Sequence, residues 1–242
     1  MSTLDLGVLI SGRGTNLQSI LDAVSAGELD ARVRLVASNR PGAAGLERAR
    51  RAGVPTEVVP SRGFADRQAF DAALARVLQD AGARWIVLAG FMRILSGTFL
   101  AAFPHRVLNI HPALCPAFPG VDAQAQALAH GVRVTGCTVH LVDEGVDTGP
   151  ILAQALVPVL QGDSRESLAA RLLVREHELL VTVLRWIAQD RLRLEPPAAP
   201  GGRARVLLRG VFPVLGLDPS WREVPAGGRA GLSHGPTGRD RV

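Results

Sequence analysis

The chain has 242 residues, 47% of them apolar and 20% charged, with a formal net charge of +5; this fits one α/β domain, with or without an extension. No apolar run reaches the roughly 18 residues that a membrane span needs, and residues 1–5 lack the basic segment of a secretory leader, so a cytoplasmic protein is expected. From Pro196 onward there are 7 Arg against 3 Asp and Glu, whereas residues 1–195 carry 20 basic against 19 acidic side chains, so the folded body is near neutral and no nucleic-acid partner is expected.

Leu6 to Ile10 reads as a first buried strand, followed by a tight polar turn from Ser11 to Asn16. Leu17, Ile20, Leu21 and Val24 then keep helical spacing, with Gly27 as a stop. Val33 to Ala37 gives a second strand, Ala43 to Ala52 a basic helix and Thr56 to Val59 a short third strand. Asp66 to Ala81 is an amphipathic helix with Phe70, Leu74, Val77 and Leu78 on one stripe. Trp85 to Ala89 is strand four, and the apolar segment Gly90 to Leu95 follows it.

Arg106 to Ile110 is strand five, and Pro112 marks where it must end. A helix near Asp122 to His130 precedes Thr135 to Val142, which alternates as an edge or antiparallel strand does, and Ile151 to Val159 pairs back on it as a hairpin. The last long helix runs from about Ser164 to Gln189, with Ser164 expected to cap it without a capping box, because Ser167 replaces the usual Glu. Its core face is Leu168, Leu172, Leu179, Leu180, Val183, Leu184 and Ile187. The expected fold class is therefore α/β, a doubly wound and mostly parallel sheet with an antiparallel C-terminal strand pair. Residues 1–195 form the domain; residues 196–242 are a Gly, Pro and Arg-rich extension with a possible short strand at Val206 to Leu208 and little fixed structure expected beyond about residue 210.

All 27 basic residues are Arg, which excludes a Lys Schiff base and a Walker A lysine. Cys115 and Cys137 lack CxxC spacing, and the six His show no paired-ligand spacing, so neither a disulfide framework nor a metal is expected. Two places carry chemistry. The turn Gly12, Arg13, Gly14, Thr15, Asn16 opens a helix, where backbone N–H groups and the helix dipole favour one phosphate; the alternative is a plain βα turn. Asn109 and His111 sit at the carboxyl end of strand five, where an open parallel sheet puts ligands; the alternative is a strand-ending Asn and a surface His.

These segments, in order, resemble the phosphoribosylglycinamide formyltransferases, a folate-dependent family. The resemblance rests on ISGRGTNL from Ile10 to Leu17, Ser38-Asn39-Arg40, GLERAR from Gly45 to Arg50, and LAGFMRIL from Leu88 to Leu95. It continues through LNIHP from Leu108 to Pro112, GCTVH from Gly136 to His140, DTGPI from Asp147 to Ile151, and Glu176-His177. The resemblance implies a Rossmann-like formyltransferase fold and transfer of the formyl group of 10-formyltetrahydrofolate to the amine of phosphoribosylglycinamide, in a monomer or homodimer. It implies that Asn109, His111 and Asp147 carry catalysis, with Thr138 and His140 in support. Substrate phosphate and ribose would lie on Gly12, Arg13, Gly14, Thr15, Asn16 and Leu17, and Glu176 would hold a hydroxyl or amine.

The same resemblance implies a folate site made by Met92, Arg93, Ile94, Leu95 and Asn109, by the turn Asp143, Glu144, Gly145, Val146, Asp147, and by Arg67 on a folate carboxylate. An amide donor suits a developing oxyanion, and a carboxylate near His111 favours the charged imidazolium. Ala113 stands where the family commonly has Ser and removes a hydroxyl beside the catalytic strand; Thr138 stands for Ser and keeps one. The other readings are a formyltetrahydrofolate hydrolase, a methionyl-tRNA formyltransferase, whose larger C-terminal domain has no counterpart here, and an inactive nucleotide-binding module.

Overall fold

The structure, a computed structural model, describes residues 3–197 and 202–209; the expectation for the chain beyond residue 210 lies outside them. The elements run β1 (Leu4–Ile10), α1 (Thr15–Ser25), β2 (Ala31–Ser38), α2 (Gly45–Arg51), β3 (Thr56–Val58), α3 (Arg67–Asp80), β4 (Trp85–Leu88) and α4 (Gly97–Ala102). They continue with β5 (Val107–His111), α5 (Ala123–Ala129), β6 (Val134–Leu141), β7 (Ile151–Pro158), α6 (Arg165–Ala188), β8 (Leu192–Glu195) and β9 (Arg205–Leu208). One seven-stranded sheet has the order β3-β2-β1-β4-β5-β6-β7. Its strands are parallel from β3 through β5, and β6 and β7 are added antiparallel.

Both faces of the sheet are covered, which is why β1 and β4 read as unbroken apolar runs. Leu6, Val8 and Ile10 pack with Leu17 and Ile20 of α1 and with Leu180 and Leu184 of α6. Leu9, Ile86 and Leu88 pack on the other face with Phe70, Leu74 and Leu78 of α3 and Phe99 of α4. Gly7 lets α3 lie close to the sheet, since a Cβ there would stand 2.6 Å from Leu78 Cδ2.

The segment with the alternating pattern, β6, is an antiparallel strand inside the sheet between β5 and β7, and β7 takes the edge. Three features differ from the sequence reading. α4 is a six-residue helix without a side-chain cap, too short to show a periodic stripe. β8 pairs antiparallel with β9, so this small second sheet straddles the compositional change at residue 196. The α6 N-terminus does carry a capping box: the Ser164 N–H donates to Ser167 Oγ at 3.0 Å and the Ser167 N–H donates to Ser164 Oγ at 3.2 Å. A serine hydroxyl accepts the returning bond as a Glu carboxylate would.

Candidate active site

The sheet reverses its winding between β1 and β4, and ligands of open α/β sheets lie beyond the carboxyl ends of the strands at such a point. Ser11, just past β1, ties three strand exits together there. Its hydroxyl donates to Asn39 Oδ1 at 2.7 Å and accepts the Met92 N–H at 2.9 Å. Ser11 and Asn39 lie inside matched motifs, yet neither was singled out as a functional residue; only the tertiary closure of β1, β2 and β4 reveals their role.

The turn Gly12 to Asn16 is shaped by contact with α2. Gly14 has φ 70° and would place a Cβ 2.6 Å from Gly45 Cα, so both its conformation and the close approach require glycine. Gly14 caps α1 with no side-chain hydrogen bond, leaving the first-turn N–H groups turned to the crevice. Gly12 and Arg13 are exposed, Thr15 is half-buried, and Leu17 is fully buried in the core. Asn16 Nδ2 donates to Glu176 Oε2 at 2.8 Å, linking the turn to α6, while Asn16 Oδ1 is buried without a partner. Burial pushes the Glu176 carboxyl up, against the opposing bond from Asn16.

Beside this turn, the antiparallel register of β5 and β6 sets Asn109 opposite His140 and His111 opposite Thr138. Alternation sends Leu108 and Ile110 into the core and leaves Asn109 and His111 on the other face. Asp147, with φ 54° in the left-handed region that Asp tolerates, turns its carboxylate into the space between them. His111 Nδ1 stands 3.3 Å from Asp147 Oδ2, and Asn109 Nδ2 donates to Asp147 Oδ1 at 3.2 Å. The Gly120 N–H donates to Oδ2 at 2.8 Å. The carboxylate therefore reaches a strand and a loop rather than closing an Asx turn of its own.

His111 Nε2 meets the Phe118 carbonyl at 2.8 Å, so both of its ring nitrogens face oxygen atoms. His140 Nδ1 meets the Leu141 carbonyl at 2.8 Å, and its Nε2 lies 3.2 Å from Asn109 Nδ2 and 3.5 Å from Asp147 Oδ1. Burial acts to raise the Asp147 carboxyl, but the neighbouring His140, the Gly120 N–H and the charge on His111 outweigh it and hold it below its ordinary value. Among the described residues, no group of three or more His, Cys, Asp or Glu is placed to hold a metal ion.

The loop after β5 is held through its backbone, with no polar side chain at residue 113. Thr138 Oγ1 donates to the Ala113 carbonyl at 2.6 Å and accepts the Cys115 N–H at 3.0 Å. Gln154 Nε2 on β7 bridges Thr138 Oγ1 and the Cys115 carbonyl, both at 3.0 Å. Ala113 itself is fully buried. The loop is thus anchored from β6 and β7 by Thr138 Oγ1 and by Gln154, which lies in none of the motifs that carry the resemblance.

Of the residues that the resemblance assigns to a folate, Met92, Ile94 and Val146 are exposed apolar side chains at 64%, 49% and 43%. Leu95 instead belongs to the core with Phe91 and Phe99. Asp143 closes the turn by accepting from the Gly145 N–H and Thr148 Oγ1, and the Glu144 carboxylate lies over Gly97. Arg93 stacks on Phe70, 4.8 Å from its centroid. Arg67 opens α3, is exposed, and makes no ion pair among the described residues.

Residues 5–184 match the formyl transferase family. The chain is 48% identical over 190 residues to the trifunctional purine biosynthetic protein adenosine-3 of Drosophila pseudoobscura pseudoobscura, covering 78% of this chain but 14% of that protein. It is 42% identical over 196 residues to the phosphoribosylglycinamide formyltransferase of Escherichia coli K12, covering 81% of this chain and 92% of that one. Among solved structures, glycinamide ribonucleotide transformylase 1 from Symbiobacterium toebii superposes with a TM-score of 0.80 at 51% identity, over 85% of this chain and 94% of its own.

Proposed function

The chain belongs to the formyl transferase family, and from that premise we propose that it transfers the formyl group of 10-formyltetrahydrofolate to the amine of 5-phosphoribosylglycinamide, a step of purine synthesis. The observation that carries this reading is a carboxylate 3.2 Å from an amide and 3.3 Å from an imidazole at a strand exit. Relatives of matching length carrying the formyltransferase name support the choice of acceptor. The folate fits between Met92, Ile94 and Val146 and supplies the formyl carbon.

Asn109 Nδ2, exchanging its bond to Asp147 Oδ1 for one to the substrate, and His111 aim donors at the place where negative charge develops on the formyl oxygen. The reacting oxygen takes the place of the Phe118 carbonyl on His111 Nε2, and Asp147 supplies the counter-charge at Nδ1. A new C–N bond forms at the amine, the bond to the folate nitrogen breaks, and one proton passes from the amine to that nitrogen. Asp147 lies beside this path and orients the proton carrier. The unpartnered Asn16 Oδ1 and the Glu176 carboxylate accept from ribosyl hydroxyls or the amine, while the α1 first turn holds the phosphate.

The test follows cofactor absorbance with a 10-formyl folate in the presence and absence of phosphoribosylglycinamide. Formyl loss that depends on the glycinamide substrate is expected. Loss without it would mean a hydrolase, and no loss in either case would reject both enzymatic readings. His111→Ala and Asp147→Asn are each expected to lower kcat by roughly 10²- to 10⁴-fold, the range of general acid–base contributions. Near wild-type turnover in Asp147→Asn would contradict its role.

A further inference from the structure

The Asp147 carboxylate is held from the loop after β5 by the Gly120 N–H, which donates to Oδ2 at 2.8 Å. That N–H belongs to the same peptide unit as the Pro119 carbonyl, and in a planar trans peptide the two point opposite ways. On the far side, Gln126 Nε2 of α5 donates to the Pro119 carbonyl at 3.1 Å and to the Val121 carbonyl at 3.0 Å. One amide thus takes the carbonyls of both residues that flank Gly120. Both groups it meets are acceptors, so the side-chain nitrogen, not the oxygen, must face them.

The segment needs such a hold. Phe118, Gly120 and Asp122 lie at positive φ, 52°, 81° and 56°, and for the bulky Phe118 this region is unfavourable. α5 supplies the fixed point, since Ala123 and Ala127 are fully buried on its inner face and Gln126 precedes the second of them. The His130 ring at its end stands 5.2 Å from that of Phe118, and Asp122 accepts from Arg165 Nε of α6 at 2.7 Å. Those contacts fix the two ends of the segment, while Gln126 fixes the Gly120 peptide between them. A flip of that peptide would aim the Pro119 carbonyl at Asp147 and withdraw the N–H, and the bond from Gln126 opposes it. A donor on the carbonyl also polarises the amide and strengthens its N–H as a donor.

We propose that Gln126 is a positioning residue for the reaction: through the Pro119–Gly120 peptide it holds the donor that keeps Asp147 beside Asn109 and His111. The assignment rests on the role given to Asp147 above. Gln126 lies in none of the motifs that carry the resemblance.

The test combines steady-state rates with amide hydrogen exchange of the full chain, followed by NMR. Gln126→Met and Gln126→Glu both remove the donor, the first without adding charge. Each is expected to lower kcat roughly 5- to 10-fold, the scale of one net hydrogen bond, with KM for either substrate within about 2-fold. Exchange of the Gly120 amide is expected to quicken while the amides of the central strands β1 and β4 stay protected. In an Asp147→Ala background the same changes are expected to alter kcat by less than about 2-fold, because Gln126 acts through that carboxylate. Unchanged kcat in both variants overturns the proposal, as does unchanged Gly120 exchange or a loss that persists in full in the Asp147→Ala background. Loss of β1 and β4 protection in both variants would make Gln126 a residue of the fold alone and overturns it too. Absence of glycinamide-dependent formyl transfer in the unmodified chain would reject the formyltransferase reading instead, a separate outcome that the exchange measurement does not depend on.

Discussion

Leu168, Leu172, Leu180 and Leu184 line one face of α6 at intervals of four, and Glu176 takes the place a further leucine would fill. A carboxyl on a buried stripe is costly unless it serves a ligand, and this placement is legible in the sequence once the stripe is drawn through it. Among the described residues Asn16 is its one hydrogen-bonding side chain, and burial outweighs that bond and keeps the carboxyl above its ordinary value of 4.5. The folded chain therefore holds this proton more tightly than the unfolded chain does. Stability from that difference is complete below the unfolded value and is lost as pH rises through the raised folded value. Glu176→Gln keeps an acceptor for Asn16 Nδ2 and removes the ionisation, so it is expected to raise Tm at about pH 8, leave Tm little changed near pH 4, and weaken binding of the ribosyl substrate. Thermal melts at the two pH values check this; a lower Tm at the higher pH would show that the carboxylate is stabilised by something other than Asn16.

At the level of elements, strands with continuous or alternating apolar runs and helices with a clear stripe were readable, because burial on a sheet face or helix face imposes a period on the sequence. The pieces that escaped are those whose order comes from partners far along the chain. α4 has only six residues and docks through Phe99; β8 exists because β9 pairs with it; Asp71, fully buried on α3, accepts the Ser96 N–H at 2.6 Å at the start of α4. The catalytic loop is the same kind of case. Asn109 and His111 were legible from an apolar strand broken by polar residues, but the clamp on their loop is made by β6 and β7. Thr138 Oγ1 serves three bonds in a fully buried position. Thr138→Val keeps the shape and strands the Cys115 N–H and the Ala113 carbonyl, at a cost of about 1–3 kcal/mol for each buried group left unpaired. Because Phe118 and Gly120 of that loop contact His111 and Asp147, kcat is expected to fall with stability, and Thr138→Ser is expected to restore both. Urea denaturation and steady-state rates on the two variants decide it; a Val variant with unchanged kcat would uncouple the clamp from the site.

Across the whole molecule, the chemistry and the late-chain packing lie at different places on one sheet. The phosphate turn follows β1, the ring wall follows β4 and the reacting groups follow β5, so the site occupies the middle of the order β3-β2-β1-β4-β5-β6-β7. The strand pair β8–β9 forms a separate sheet, and β9 lies against β7 at the edge. Edge strands present unpaired backbone groups and are commonly covered. Leu192, Leu194, Val206 and Leu208 pack against the core cluster that holds Trp186 and Leu184, which gives the strap a hydrophobic reason to dock. A chain ended after Pro197 loses Val206 and Leu208 and uncovers Leu192 and Leu194. Relative to a chain ended after Arg209, it is expected to lose about 2 kcal/mol of stability, the scale of partly burying two aliphatic side chains. Its kcat at a temperature where both chains are folded is expected to be unchanged, since the hydrogen bonds of Asn109, His111 and Asp147 run to His140, Phe118, Gly120 and one another and to no described residue of the strap. Urea midpoints and rates on the two truncations separate these effects. A fall in kcat without a fall in stability would mean that the strap reaches the site by a route other than the packing described, and equal stability would mean that β9 contributes nothing to the fold it covers.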